Sequence, residues 1–83
     1  MKQTIFEEVE QIFRTIFEDD SLKIRMDLTA DEVAMWDSLT HLALISEIEN
    51  HFGITISFIQ LMAFKNVGDL IDCVEKNLLT KTN

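Results

Sequence analysis

The pattern of apolar and polar residues from Thr4 to about Glu18 has the period of an amphipathic helix. Apolar side chains recur every three or four positions and therefore share one face of that helix. The acids in its first half complement the positive end of the helix dipole, and we interpret them as solvated surface. The expected buried stripe consists of Ile5, Val9, Ile12 and Ile16, widened by Phe6, Phe13 and Phe17.

Residues 19–35 have no sustained period and are rich in charged and turn-forming residues, so they predict a long loop. Thr29 and Glu32 have the spacing of a capping box and are able to close one helical turn within it. The acids at 18–20 lack the alternating ligands and the turn glycine of a calcium loop, so no metal site is predicted. The apolar residues expected to hold the loop against the core are Leu22, Ile24, Met26, Leu28 and Val33.

A second helix is predicted from Ser38 to about Phe52, capped by Asp37 and ended by Gly53. One side of its helical wheel is apolar and carries His41 at its N-terminal end. The opposite side presents a leucine and then only small or neutral residues, which suits docking on a partner. The inward side consists of Leu44, Ile45, Ile48 and Phe52, and the outward side of Leu39, Ala43, Ser46 and Asn50.

A short third helix is predicted after an extended segment at 54–56, because Ser57 and Gln60 match a capping box. It is expected to end near Phe64. A helix of about two turns cannot turn all of its apolar residues inward. Two interpretations stay open: either some are exposed for a partner or an acyl chain, or the segment is irregular and more fully buried. The residues concerned are Phe58, Ile59, Leu61, Met62 and Phe64.

The last helix is predicted to begin after Asn66, which caps it together with Asp69. Its apolar stripe consists of Val67, Leu70, Ile71, Val74 and Leu78. The chain is therefore expected to be an all-α four-helix bundle with three longer helices, one short helix and a long loop between the first two. With 83 residues and no internal repeat or linker, residues 1–83 are expected to form one domain.

The charge balance argues against nucleic acid as a partner. Fifteen acidic residues outnumber seven basic ones, which gives a formal net charge of −8, and most of such a surface repels a phosphate backbone. The lone cysteine, Cys73, cannot form an intramolecular disulfide, which favours a reducing compartment. Acids interrupt the N-terminal segment, and no apolar run approaches transmembrane length. These features predict a soluble, cytoplasmic protein without membrane insertion.

Ser38 and His41 lie three residues apart on one helix, so a nucleophile and base pair has to be considered. No acid is evident to orient His41, and no glycine-rich turn offers an oxyanion hole. Cys73 has no neighbouring base to lower its pKa. An enzyme is therefore not predicted. A phosphate attached to Ser38 would instead lie where free backbone N–H groups and the helix dipole favour an anion, so Ser38 suits a modification acceptor.

Two further side chains are expected to be structural. Trp36 is interpreted chiefly as an anchor of the loop on the core, with contact to a partner as the alternative. His51 follows Glu47 by four residues, which predicts a solvent-exposed ion pair along the second helix.

Three segments together resemble the acyl carrier proteins, in particular the discrete bacterial type. They are Trp-Asp-Ser-Leu-Thr-His-Leu at 36–42, the helix end at 49–54 and Asn-Val-Gly-Asp-Leu at 66–70. The triplet at 37–39 alone is weak evidence. The flanking tryptophan, the distance from helix start to glycine and the four-helix pattern make the resemblance more specific, and it covers essentially the whole chain.

The resemblance implies that Ser38 is the attachment site of 4′-phosphopantetheine, added as a phosphodiester by a phosphopantetheinyl transferase that uses coenzyme A. The distal thiol would hold an acyl group as a thioester for acyl-loading and acyl-processing enzymes, and the carrier, expected to be a monomer, would catalyse nothing itself. The resemblance also implies that Asp37 helps to define the transferase recognition surface and that Leu39 inserts into partner pockets. The remaining candidate recognition residues are Ala43, Ser46 and Glu49.

Departures from the family pattern suggest a specialised fatty-acid, polyketide or related pathway. The outward face of helix 2 and all of helix 3, commonly acidic in fatty-acid carriers, are mostly neutral or apolar here, and Ser57 replaces a frequent proline. His41 lies at the expected mouth of an acyl pocket, where it either restricts entry or bonds to the long loop. The rival functions are an acidic helical interaction module without a prosthetic group and an aminoacyl or peptidyl carrier.

Overall fold

The computed structural model describes residues 2–33 and 36–80. The described part contains no β-strand, and the predicted architecture of three longer helices, one short helix and a long first loop is confirmed. Ala34 and Met35 of that loop and residues 81–83 lie outside the described residues. The elements are α1 (Lys2–Ile16), a 3-10 turn (Ala30–Glu32), α2 (Ser38–Phe52), α3 (Phe58–Ala63) and α4 (Val67–Thr80).

The first helix begins and ends two residues earlier than its apolar pattern predicts. Glu18 has a left-handed backbone with φ 52°, and a residue in that conformation ends an α-helix. The amide of Glu18 donates to the carbonyl of Thr15 at 3.3 Å, and that of Asp19 donates to the carbonyl of Arg14 at 3.0 Å. These two bonds satisfy carbonyl groups of the last turn, so α1 ends at Ile16 although Phe17 continues the apolar stripe into the core.

The core lies where α1, α2 and α4 meet. Phe13 of α1, Leu44 of α2 and Ile71 of α4 have no exposed surface, and α1 packs against both other long helices. Fully burying one such side chain stabilises the fold by roughly 1.5–3 kcal/mol. The other fully or almost fully buried side chains are Ile5, Val9, Ile48, Val67, Leu70 and Val74.

The long loop is joined to α1 by hydrogen bonds as well as by apolar contacts. Ile24 is buried, and its amide donates to Glu10 Oε2 at 2.9 Å. Arg14 Nε donates to the carbonyl of Leu22 at 2.7 Å. These bonds satisfy backbone groups that loop burial removes from water, as a buried loop requires.

The same loop is joined to the start of α4 through its backbone. The amide of Val67 donates to the carbonyl of Leu28 at 2.9 Å, and the amide of Gly68 donates to that of Met26 at 2.6 Å. A Cβ on Gly68 would lie 3.0 Å from that Met26 oxygen, so the close approach requires glycine. The side chain of Met26 is exposed, so the prediction that it holds the loop against the core is wrong. Its carbonyl makes the attachment instead.

Two local predictions have different outcomes. Thr29 and Glu32 do close the predicted turn, since the Thr29 amide donates to Glu32 Oε2 at 3.1 Å. His51 does not form its ion pair along α2 with Glu47; its Nε2 lies 2.8 Å from Oε1 of Glu8. The pair therefore joins α2 to α1, because that flank of α2 faces the first helix.

Of the two interpretations of the third helix, the one in which some of its apolar residues are exposed is confirmed. Phe58, Ile59 and Met62 are exposed, whereas Leu61 and the following Phe64 are partly buried. The helix ends at Ala63, one residue earlier than expected. No helix within residues 2–33 and 36–80 is long and apolar enough to cross a membrane.

Candidate functional site

Asp37 caps the start of α2. Its Oδ1 accepts a hydrogen bond from the Thr40 amide at 3.0 Å, and Thr40 Oγ1 accepts from the Asp37 amide at 2.8 Å. The backbone hydrogen bond from Thr40 lowers the pKa of the Asp37 carboxyl, because it stabilises the charged form. The capping role predicted for Asp37 is therefore observed, and the helix does not depend on Ser38 for its cap.

Ser38 is the first residue of α2, and it is exposed to solvent. It follows the capping residue directly, so the helix determines where its hydroxyl group lies. An exposed hydroxyl at this end of a helix is accessible to another protein, and the partial positive charge of the helix N-terminus favours an attached anion.

Trp36 anchors the chain just before the site. Its ring packs edge-on against Phe13 at 5.2 Å between centroids, and it also contacts Phe17 at 6.3 Å. Trp36 Nε1 donates a hydrogen bond to His41 Nδ1 at 3.1 Å. The tryptophan therefore connects the core of α1 to the first turn of α2, as its interpretation as an anchor predicts.

His41 bonds to Trp36, the residue that follows the predicted loop, and its role in acyl entry stays a prediction. An indole N–H can only donate, so Nδ1 of His41 must be unprotonated. Partial burial lowers the pKa of His41, because it disfavours the charged imidazolium. With Nδ1 occupied in this way, His41 is a positioning residue for Trp36 rather than a base for Ser38.

A cavity of about 370 Å³ opens beside Ser38, a size that falls in the usual range for small-molecule sites. It brings together residues from four separate parts of the chain, and its lining combines apolar rings with polar groups. His41 lines it, at the position that the resemblance gives to the mouth of an acyl pocket. The lining consists of Ala30, Trp36, Asp37, Ser38, His41, Phe64, Lys65, Asn66 and Leu70.

The candidate recognition residues divide into two groups. Leu39, Ala43 and Ser46 are exposed on the outward face of α2, as their wheel positions predict. Glu49 is partly buried, and its Oε2 accepts a hydrogen bond from the Ile56 amide at 2.8 Å. The fold therefore uses the carboxylate of Glu49 to hold the segment before α3, which leaves it less available to a partner.

Sequence reasoning missed two residues near Ser38. Leu42 is exposed one turn after it, and its place at the edge of the outward face was a signal for this. Lys65 lines the cavity although it lies 27 positions further along the chain. No local pattern indicates that contact, because it depends on how the connection between α3 and α4 packs against α2.

We expect the free energy of unfolding to decrease as the pH falls below about 6.5, the ordinary pKa of histidine. The unfolded chain then takes up a proton that the lowered pKa of His41 disfavours in the folded protein. The decrease ends below the folded-state pKa, where both states are protonated. Urea unfolding of His51→Gln at about pH 7.5 and about pH 5.5 tests this with His41 as the one histidine left. The prediction would be contradicted if the double variant His41→Gln/His51→Gln lost as much free energy of unfolding between the two pH values as His51→Gln does.

No group of three or more histidine, cysteine or acidic side chains in the described ranges is arranged to hold a metal ion. Cys73 is buried, and burial raises the pKa of its thiol. Its side chain therefore contributes to packing, as predicted for a structural cysteine.

Comparison with known proteins shows which family the chain resembles. A family model described as "Phosphopantetheine attachment site" matches residues 7–74, which include Ser38. An acyl carrier protein from Coprothermobacter proteolyticus is 33% identical over 82 residues, covering 96% of this chain and 98% of that relative. One from Onion yellows phytoplasma is 34% identical over 73 residues, covering 88% of this chain and 96% of its own length.

Solved structures agree with these likenesses. A holo acyl carrier protein from Geobacter metallireducens superposes with a TM-score of 0.88 at 38% identity, covering 94% of this chain and 90% of that one. An acyl carrier protein from Thermotoga maritima has a TM-score of 0.82 at 22% identity, covering 99% and 94%. The second supports the fold alone. The family model, the two relatives and the first of these structures confirm the resemblance stated from the sequence.

Proposed function

Because this chain belongs to the phosphopantetheine-attachment family and is an acyl carrier protein, we propose that Ser38 carries its prosthetic group. That group is 4′-phosphopantetheine. Once the arm is attached, its terminal thiol holds an acyl group as a thioester. The protein is a carrier and not an enzyme. It interacts with a phosphopantetheinyl transferase and with acyl-processing enzymes.

The observation that carries the proposal is the exposed hydroxyl at the first position of α2, beside a cavity of about 370 Å³. A phosphodiester adds negative charge, and the N-terminus of α2 favours such charge. Lys65 lines the same cavity and offers a cation, while Trp36 and Phe64 offer apolar walls. The residues present therefore fit an arm that begins with a phosphate and continues as a flexible chain.

Each neighbouring residue has a distinct part in this function. Ser38 supplies the oxygen of the phosphodiester, and Asp37 holds the first turn of α2 through Thr40. Trp36 and His41 fix that turn against α1. A rigid start of α2 presents the tethered acyl group from a defined point, and tethering raises its effective concentration at each partner enzyme.

Intact-mass measurement tests the attachment. The purified protein is incubated with coenzyme A and a broad-specificity phosphopantetheinyl transferase, and we expect one arm per chain. A peptide map then locates the arm. A protein that several transferases leave unmodified, or an arm on another residue, would contradict the proposal.

We propose further that the carrier serves a specialised fatty-acid, polyketide or related pathway. Ala43 and Ser46 are exposed where fatty-acid carriers commonly have acids, and Glu49 is engaged with Ile56. Basic docking surfaces would therefore find few carboxylates on α2, which lowers electrostatic steering. We expect general fatty-acid enzymes to elongate the acylated protein at least about tenfold more slowly than their own carrier, a difference of about 1.4 kcal/mol. Equal rates in a reconstituted elongation assay would contradict this.

Three further expectations, on domain number, location and oligomeric state, accompany these proposals. The family match over residues 7–74 supports residues 1–83 as one carrier domain. The free Cys73 fits a reducing compartment and supports a cytoplasmic location. The protein is expected to be a monomer, and sedimentation velocity measures this directly.

A further inference from the structure

Large apolar side chains of α2 and α3 form an exposed surface that we call the α2–α3 apolar patch. Their exposed fractions range from 57% to 81%. Together they expose on the order of 700 Å², above the roughly 300–600 Å² of the largest patch on a typical monomer. The patch consists of Leu39, Leu42, Phe58, Ile59 and Met62.

The patch begins beside Ser38. The rings of His41 and Phe64 lie 6.3 Å apart, which places the end of α3 near the start of α2. Glu49 joins the other end of α2 to the segment before α3 through Ile56. The segments at both ends of the short helix are therefore joined to α2. Leu42 lies one turn after Ser38, on the same side of α2 as Glu49.

Charged groups are almost absent from this surface. Residues Phe58–Ala63 of α3 include no charged side chain, and the outward face of α2 continues with Ala43, Ser46 and Asn50. Glu47 lies on the other flank of α2. His51, one turn later on that flank, is joined to Glu8 of α1. The net charge of −8 is therefore carried elsewhere on the protein.

We propose that the α2–α3 apolar patch docks on an apolar, uncharged surface of the enzymes that act at Ser38. Burial of apolar area, rather than ion pairing, supplies the affinity. The inference rests on the proposed attachment at Ser38, because the patch adjoins that residue. A basic partner surface would lose its hydration against these side chains without gaining a carboxylate in return.

The size of the patch favours a transient enzyme contact over a permanent dimer. Two copies facing each other through the patch would bury on the order of 1,400 Å², whereas obligate dimers commonly bury about 2,000 Å² or more. A carrier must also leave each enzyme after the reaction, which a contact of this size permits.

The test uses the rate at which the broad-specificity phosphopantetheinyl transferase modifies the full chain. Ile59→Glu and Met62→Glu are each expected to lower kcat/KM about tenfold or more, because a charge would have to be buried or left unpaired on docking. Ile59→Leu is expected to retain the wild-type value, since it keeps the apolar area. The wild-type kcat/KM is expected to change by less than about twofold between low and high salt.

Leu79→Glu is the matched control, because it places the same charge on an exposed leucine of α4. It is expected to leave kcat/KM within about twofold of wild type. Equal effects of Leu79→Glu and Ile59→Glu would overturn the proposal, as would faster modification of the patch variants or a steep loss of rate with salt. Circular dichroism of each variant verifies that the helices are intact.

Binding of the α2–α3 apolar patch to a second copy of the chain or to a membrane would also overturn the proposal. Dimerisation in sedimentation velocity that Ile59→Glu abolishes would assign the patch to a second copy. Binding to vesicles of neutral phospholipid that Met62→Glu abolishes would assign it to a membrane. Failure of the proposed function is distinguishable, since an unmodified wild-type chain refutes attachment at Ser38. If the wild-type chain is modified and the patch variants have the same kcat/KM as wild type, only the docking inference is refuted.

Discussion

Ser38→Ala is expected to abolish the attachment of 4′-phosphopantetheine completely. The substitution removes the oxygen atom that would form the bond to phosphorus, and no other hydroxyl can replace it at the first position of α2. The fold should be unaffected, because Asp37 caps the helix through Thr40 and the side chain of Ser38 is exposed. Intact-mass spectrometry after incubation with coenzyme A and a transferase measures the result.

Ser46→Ala is the matched control for this loss. Ser46 is an exposed serine on the same helix, two turns further along, so its loss tests whether any surface hydroxyl of α2 is sufficient. The control is expected to accept one arm per chain once the reaction is complete; its rate is not compared, because Ser46 is itself a candidate recognition residue. An arm on Ser38→Ala, or its loss in Ser46→Ala, would refute the assignment of the site.

Phe13→Ala is expected to destabilise the protein by about 3–5 kcal/mol. Phe13 has no exposed surface, and its ring packs against both Phe17 and Trp36. The substitution removes that burial and leaves a cavity where α1, α2 and the loop meet. The loss is a large part of the roughly 5–15 kcal/mol that stabilises a typical domain. Urea unfolding followed by far-UV circular dichroism measures it without relying on the fluorescence of Trp36.

The same substitution at Phe58 provides the control, because this phenylalanine is exposed on α3. Phe58→Ala is expected to change the free energy of unfolding by no more than about 0.5 kcal/mol. Similar losses at both positions would mean that Phe58 is covered in solution. A small loss in Phe13→Ala would contradict the central position assigned to that ring.

Local sequence patterns were sufficient for the helices and their caps. The caps formed by Asp37, by Ser57 with Gln60 and by Asn66 all appear as predicted. Such bonds join residues three positions apart, so neighbouring residues alone determine them. The end of α1 was predicted less well. Glu18 adopts a left-handed conformation that its residue type does not favour.

Contacts between distant parts of the chain were not predictable in the same way. The pair of His51 with Glu8 replaced the expected pair with Glu47, because the packing of α2 on α1 brings the two closer. Glu49, a candidate recognition residue, likewise bonds to Ile56, which makes its carboxylate less available to a partner. A helical wheel gives the direction of each side chain, but it does not show which element lies opposite.

The sequence by itself determined the four helices, the exposed place of Ser38 at the start of α2 and the resemblance to carrier proteins. Each depends on periodicity, capping or a short motif, all of which are local. Only the tertiary structure decided that Trp36 bonds to His41, that Lys65 lines the cavity beside Ser38 and that α3 exposes most of its large apolar side chains. These features depend on how helices distant in sequence pack, and the burial of apolar surface that drives this packing is not directional.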